Sequence, residues 1–284
     1  MKQLVVISGK GGTGKTTMAA SLASLAKGGM VVADCDVDAP DLHLILKPEI
    51  KETHDFLGLK IAQIDPDNCT KCGECEKACR FDAISDFQVD PRSCEGCKVC
   101  TLVCPSEAVT MIETISGHAY VSETRFGTMV HANLFPGEEA SGKLVTMVRE
   151  LAFKVAEREK KDLVLIDGSP GIGCPVIASI TGTDIALVMT EPSISGAHDL
   201  ERILGVTKHF GVKTLVCVNK YDLNVEMTGE IEDLCREMGV DVVGKLPFDP
   251  GVVEAMISGV TLVEVEGPVG DAIKSVWDRI RATL

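Results

Sequence analysis

Gly9-Lys10-Gly11-Gly12-Thr13-Gly14-Lys15-Thr16-Thr17 lies between an apolar run, Leu4-Val5-Val6-Ile7, and a helical run from Met18 to Ala26. A strand, a glycine-rich turn and a helix in that order build an anion cradle. The glycines let backbone N–H groups approach an anion closely, and the positive end of the helix dipole faces the same point. In such a P-loop, Lys15 reaches the β- and γ-phosphates of a nucleotide and the Thr16 hydroxyl ligates Mg²⁺. Gly11, Gly12, Thr13, Gly14, Lys15, Thr16 and Thr17 are therefore nucleotide-binding candidates.

The chain around this loop has 284 residues, room for one large α/β domain or a domain with a small insert. Hydrophobic residues make up 45%, enough for a sizeable core, and aromatics only 4%, so that core is mainly aliphatic. A net charge of −14 argues against nonspecific nucleic-acid or anionic-membrane binding, which need cationic surface. No apolar run approaches the ~20 residues that span a bilayer. Met1 leads directly into the first strand with no signal-type segment, so the simplest expected location is cytoplasmic. Eight of the twelve cysteines fall between Cys69 and Cys104, a clustering that reads as metal binding rather than disulfide formation.

Lys10, a second lysine at the start of the loop, makes the pattern a deviant Walker A. Here the chain resembles the MinD/ParA/Mrp and nitrogenase-iron-protein superfamily of P-loop ATPases. The resemblance implies ATP/ADP and Mg²⁺ as ligands. It also implies a homodimer in which Lys10 reaches across to the nucleotide of the second subunit, with Lys10, Lys15 and Asp36 as catalytic residues.

A second buried run, Met30 to Ala33, ends in Asp34-Cys35-Asp36-Val37-Asp38. Acids at the carboxyl end of a parallel strand sit at the ligand face of an open α/β sheet. By the resemblance, Asp34 stands on the magnesium side and Asp36 orients the attacking water. Asp38 is either a third candidate or a turn acid before Pro40. Leu163-Val164-Leu165-Ile166-Asp167 is another buried strand ending in an acid, the Walker B position, and Asp167 is expected to hold Mg²⁺. The Gly168–Gly173 turn after it corresponds to switch II of the family, and Cys174 beyond it reads as a plain buried cysteine. Asn219 ends the strand at Thr214 to Val218 and matches the family's adenine reader, with a donor and an acceptor for a base edge. Pro247 and Phe248 match the positions that border the base.

Between these parts lies an internal duplication. Cys69-x-x-Cys72-x-x-Cys75-x-x-x-Cys79 is followed by Cys94-x-x-Cys97-x-x-Cys100-x-x-x-Cys104-Pro105, every cysteine recurring 25 residues on. Ala83-Ile84 and Ala108-Val109 keep the same offset. This is the spacing of bacterial two-cluster ferredoxins, in which the fourth cysteine of each run ligates the other cluster. One [4Fe–4S] cluster is thus expected on Cys69, Cys72, Cys75 and Cys104, and the other on Cys94, Cys97, Cys100 and Cys79. Such ferredoxins usually carry proline after both fourth cysteines, whereas Arg80 follows Cys79 here. Structural zinc is the competing use of Cys-x-x-Cys pairs.

The remaining segments are read more simply. Residues 47 to 65 look polar and irregular, and Ile112 to Arg125 strand-like. Ser141 is read as the N-cap of a helix from Lys143 to Glu159. His118 and His131 lack ligand spacing. The last helix, Asp271 to Ala282, is amphipathic as a core helix needs to be.

The expected fold is therefore α/β, a doubly wound, mostly parallel P-loop NTPase sheet with an inserted α+β ferredoxin-like module. The expected domains are 1–65, the first part of the ATPase; 66–113, the insert; and 114–284, the rest of the ATPase. The expected function is an ATP-hydrolysing iron–sulfur protein that couples nucleotide-dependent dimerisation to electron transfer through two clusters. Two further readings stand beside it. One is a carrier or scaffold of the Mrp type for cluster or metal-cofactor assembly; the other is a redox-sensing positioning or regulatory switch. The expected partners are a second copy of the chain and a redox or cofactor-assembly protein, with no membrane and no nucleic acid.

Overall fold

The computed structural model describes residues 1–136 and 142–284. The chain divides into two compact units: residues 1–53, 119–133 and 142–284 in the first, and 54–118 with 134–136 in the second. Ser141, expected as a helix N-cap, lies outside the described residues.

In chain order the elements are strand β1 (Lys2–Ser8), helix α1 (Lys15–Ala26), β2 (Met30–Cys35), α2 (Leu42–Leu46), β3 (Glu49–Ile64), α3 (Glu74–Ala78), β4 (Ile84–Ser85), β5 (Gln88–Val89), α4 (Val99–Val103), β6 (Val109–Thr124), β7 (Gly127–Leu134), α5 (Gly142–Glu159), β8 (Leu163–Pro170), α6 (Cys174–Ile180), β9 (Ile185–Thr190), α7 (Ile194–His209), β10 (Lys213–Asn219), α8 (Val225–Glu237), β11 (Asp241–Leu246), α9 (Gly251–Ser258) and α10 (Pro268–Arg281).

Nine strands form one sheet in the order β11-β10-β9-β1-β8-β2-β7-β6-β3. From β11 to β7 every neighbouring pair is parallel. The central strands are apolar throughout because both faces are covered: Leu4, Val5, Val6 and Ile7 are fully buried, as is all of β2 and β9. Alternate residues take opposite faces. Leu4, Val6, Met30, Val32, Leu165 and Leu187 share a core with Met18 and Leu22 of α1 and with Ile273, Val276 and Trp277 of α10. Val5 and Ile7 face the other way, against Gly168 and Ser179 of α6. Gly168 has no room for a side chain there, since a Cβ would stand 2.7 Å from Ile7 Cγ2. The first unit is thus a P-loop-type α/β fold with helices on both faces of a mostly parallel sheet. No helix among the described residues is long and apolar enough to cross a membrane.

One expectation is corrected. Residues 47–65 are not irregular: Glu49–Ile64 form a 16-residue strand. Only Phe56 and Ala62 of that strand are buried, so it carries no apolar run. It is an edge strand, where charged side chains such as Lys51 and Lys60 are well tolerated. Its neighbour β6 supplies what the sequence hides: Thr114 Oγ1 donates to the Leu59 carbonyl and Lys60 pairs with Glu113 at 3.2 Å.

Strands β6 and β7 are joined by two residues, Arg125 and Phe126, and so form a hairpin. Within it, His131 Nε2 lies 2.9 Å from Ser122 Oγ. Burial, reinforced by His43, pushes the His131 pKa down from 6.5 to about 4. Between those values the unfolded chain binds the proton and the folded chain does not, so stability falls as pH falls through that window. His131→Gln is expected to shrink the loss of unfolding free energy between about pH 7.5 and pH 5 by roughly 1 kcal/mol, after allowance for screening of a partly exposed ring. Urea unfolding at the two pH values checks this, and an unchanged loss would refute it.

Candidate functional site

The loop after β1 is shaped by two close approaches. A Cβ on Gly9 would stand 2.5 Å from Asp199 Cβ on α7, so only glycine lets the chain pass. Gly14 is left-handed (φ 93°), and a Cβ there would stand 2.6 Å from Asn219 Nδ2. Asn219 braces the loop from the end of β10: its Nδ2 donates to the Thr13 carbonyl at 3.0 Å, and its Oδ1 accepts from the Lys220 N–H at 2.9 Å. Both halves of the amide are engaged in this way. The end of β8 and the turn after it are tied to the same place, since Ser169 Oγ donates to the Cys35 carbonyl and Gly171 N–H donates to the Ser8 carbonyl at 2.8 Å; residues 168–170, expected in the turn, continue the strand.

Asp34 and Asp167 are register partners at the carboxyl ends of β2 and β8. Asp34, Asp36 and Asp167 are all buried, and so is Lys15, whose Nζ lies 3.2 Å from Asp36 Oδ2. Asp34 Oδ1 accepts from the Asp36 N–H at 3.2 Å. Asp34 Oδ2, Asp36 Oδ1 and both oxygens of Asp167 have no hydrogen-bond partner among the described residues. Burial pushes the Asp34 pKa well up, and the neighbouring Asp167 adds to this. Burial likewise raises Asp167 to about 7, against the pull of the Lys15 charge and the nearby Thr16 hydroxyl. Burial also raises Asp36, with Lys15 opposing. Fully ionised, three carboxylates against one ammonium would carry two uncompensated negative charges; the raised pKa values of Asp34 and Asp167 are the response to that excess, and a divalent cation is its complement. Asp38 is exposed rather than buried with this group, and its charge adds to the rise of Asp36.

Gly11, Gly12, Gly14, Lys15, Thr16, Thr17, Asp36, Asn219, Pro247 and Phe248 all line one open cleft of about 1290 Å³. Thr13 is buried beneath it. The cleft has an apolar end that was not foreseen, formed by Val252, Val253 and Met256 of α9 and Ile273 of α10. A signal for it was present: α9 is rich in apolar residues, yet only Ala255 is buried. Lys10 points to a second group that sequence reasoning missed. Its Nζ lies 2.7 Å from Glu191 Oε1 and donates to Ser193 and Ser195 at 3.2 and 2.9 Å. Lys220 holds the other Glu191 oxygen at 3.3 Å. Although burial pushes the Glu191 pKa up, the two ammonium groups keep it below its usual value. Cys174, expected to be buried, is exposed at the start of α6 because the turn ahead of it ends at the surface.

In the second unit the eight clustered cysteines line two cavities. Cys69, Cys72, Cys75 and Cys104 line one. Cys94, Cys97, Cys100 and Cys79 line the other. Among the described residues, no three or more His, Cys, Asp or Glu side chains converge as ligands of a single ion. Burial raises the pKa of Cys75 and Cys100, and neighbouring cysteines add to it. The scattered Cys35, Cys217 and Cys235 are buried thiols with pKa values pushed up by burial.

Residues 4–263 match the CobQ/CobB/MinD/ParA nucleotide binding domain family. An uncharacterized protein of Methanocaldococcus jannaschii is 33% identical over 281 residues, covering 98% of this chain and 96% of its own. The septum site-determining protein MinD of Pyrococcus horikoshii, solved with Mg-ADP, superposes with a TM-score of 0.61 at 20% identity, covering 98% of this chain and 95% of that one. A chain of the MinC:MinD cell division protein complex of Aquifex aeolicus gives 0.61 at 18% identity, covering 99% of this chain and 96% of that one. At these identities the two structures show a shared fold.

The uncompensated carboxylates predict a trade between stability and ligand binding. Asp167→Asn is expected to raise the unfolding free energy of the nucleotide-free protein by on the order of 1–3 kcal/mol. The same change is expected to abolish the rise in melting temperature that Mg²⁺ and nucleotide give the unaltered chain. Thermal unfolding with and without Mg²⁺ and nucleotide measures both, and a destabilised variant that keeps its Mg²⁺ response would refute this reading of the charge group.

Proposed function

Because this chain belongs to the CobQ/CobB/MinD/ParA nucleotide-binding family and is an ATPase of the MinD/ParA type, we propose that it couples ATP-dependent self-association to electron transfer at two [4Fe–4S] sites. The observation that carries the reading is the crossed sorting of the cysteines. Cys104 lines the cavity of the first run's triad, and Cys79 that of the second. Four thiols spaced around a void suit a polynuclear cluster better than one zinc ion, whose ligands must meet at a point. The residues present therefore fit two clusters, one on Cys69, Cys72, Cys75 and Cys104 and one on Cys94, Cys97, Cys100 and Cys79. When bound, such a cluster supplies a one-electron store. The inserted segment, about 66–113, is thus read as a ferredoxin-like module within the ATPase.

At the nucleotide cleft, the backbone N–H groups of Gly11–Gly14 and the start of α1 cradle the phosphates, and Lys15 neutralises them. Mg²⁺ fits beside Thr16, Asp34 and Asp167; the unpartnered carboxylate oxygens and the two uncompensated charges support this. Asp36, held by Lys15, orients the attacking water. Pro247, Phe248 and the apolar end of the cleft receive the base, with Asn219 at its edge. Lys10 leaves Glu191 to reach the nucleotide of a second copy, and the Gly168–Gly173 turn responds through its link to Ser8.

A second reading, the Mrp-type carrier, is favoured by the exposure of Cys72 and Cys97, one in each cavity, since exposed ligands ease cluster transfer. Loss of clusters to an apo-ferredoxin on ATP addition would support the carrier; retained clusters support electron transfer. The resemblance to septum site-determining proteins keeps a positioning role in view. The face of α10 with Ile273, Val276, Trp277 and Ile280 packs into the core.

The decisive experiment is anaerobic reconstitution. The unaltered chain is expected to hold about eight irons, and Cys79→Ala and Cys104→Ala about four each. In Cys79→Ala, Cys94, Cys97 and Cys100 are expected to become open to alkylation while Cys69, Cys72 and Cys75 stay protected. The reverse protection, or no iron uptake, would sink the assignment.

A further inference from the structure

The duplication supplies its own control. Residues 25 apart are equivalent, and the backbone agrees at unusual positions. Lys71 and Gly96 are left-handed at φ 56° and 64°, Gly73 and Lys98 at 78° and 67°, Asp82 and Glu107 both at 52°. With the backbone repeated, differences in side chain stand out.

Around the fourth cysteines the difference is chemical. Cys104 Sγ accepts from the Ala108 N–H at 3.3 Å and lies 3.6 Å from Ser106 Oγ. The counterpart of Ser106 beside Cys79 is Phe81, which has no polar atom. At the Cys79 cavity the Ala62 N–H donates to Cys94 Sγ at 3.4 Å. Both cavities thus have backbone N–H groups directed at sulfur. The hydroxyl at Cys104 is the side-chain donor that, among the described residues, only one of them has. The linings are otherwise mixed: Phe81, Val99 and Met111 line the Cys79 cavity together with Glu95 and Lys98, and Ile64, Phe87 and Val109 line the Cys104 cavity together with Thr70 and Ser106. Helix α3 carries an exposed Glu74–Lys77 pair at 3.0 Å, whereas α4 at the equivalent positions has Val99 and Leu102.

A metal-bound thiolate has no proton, so a hydroxyl beside it can only donate. A donor to sulfur stabilises the more negative, reduced form of a cluster. Resting on the cluster reading above, we infer that Ser106 sets the reduction potential of the Cys69/Cys72/Cys75/Cys104 site above that of its repeat. The two sites are then inequivalent, and the first is reduced before the second. Ser106 acts through Cys104, as a tuning residue and not a ligand.

The test is a potentiometric titration of the reconstituted full chain, followed by EPR, after iron has been counted. Dithionite is the electron donor, giving one electron to each cluster. The unaltered chain is expected to show two reduction steps. Ser106→Ala is expected to shift the higher step downward and leave the lower one in place. Ser106→Thr, which keeps the hydroxyl, retains the higher step, and Phe81→Ser shifts the lower one upward. Coincident steps in the unaltered chain overturn the inference. So does a Ser106→Ala variant that moves neither step or moves the lower one. Fewer than about eight irons in the unaltered chain would overturn the cluster reading and this inference with it. Full iron with unmoved steps overturns the inference alone.

Discussion

Three buried carboxylates, Asp34, Asp36 and Asp167, share one ammonium, Lys15, at the carboxyl ends of β2 and β8 and the start of α1. Burying charge without compensation is among the costliest things a fold can do. Here the surrounding sheet is aliphatic and fully covered, so the acids cannot turn to water. Their raised pKa values and unpartnered oxygens are the measure of that cost. The same negative excess explains why the P-loop lysine points to Asp36: it is the nearest carboxylate that can be answered from within the molecule.

The loop above these acids depends on space as much as on charge. Gly9 and Gly14 admit Asp199 and Asn219 to distances that any side chain would forbid. Asn219 then holds Thr13, Gly171 holds Ser8, and Lys10 is held by Glu191. Three strands and the start of one helix thus converge on nine residues. The links are separate hydrogen bonds and ion pairs, individually about 1 kcal/mol, so a nucleotide can exchange them for its own contacts.

The second unit follows a different economy. It has a small apolar cluster, Ala62, Ile84 and Val109 with Cys75 and Cys100, and short helices of five residues. A core of that size stabilises little, and metal binding is a common remedy for such modules. The repeat preserves backbone and thiols while letting the lining diverge, and Ser106 against Phe81 is the clearest divergence.

Much of this was legible in the sequence because the signals are local. Buried parallel strands are unbroken apolar runs, the phosphate loop is nine consecutive residues, and the cysteine runs repeat at a constant offset. Strand β3 was not legible, because an edge strand with two buried residues has no apolar periodicity and owes its existence to β6. The exposure of Cys174 and the apolar end of the cleft depend on how α6, α9 and α10 pack, and no local pattern encodes that. The bracing of Thr13 by Asn219, 206 positions away in the chain, and of Lys10 by Glu191 likewise belongs to the tertiary structure. The sequence by itself determined which chemical groups are present and on which elements they ride. Only the folded chain decided which of them meet, because contact between groups far apart in sequence is a property of packing, and packing is settled by the whole sheet at once.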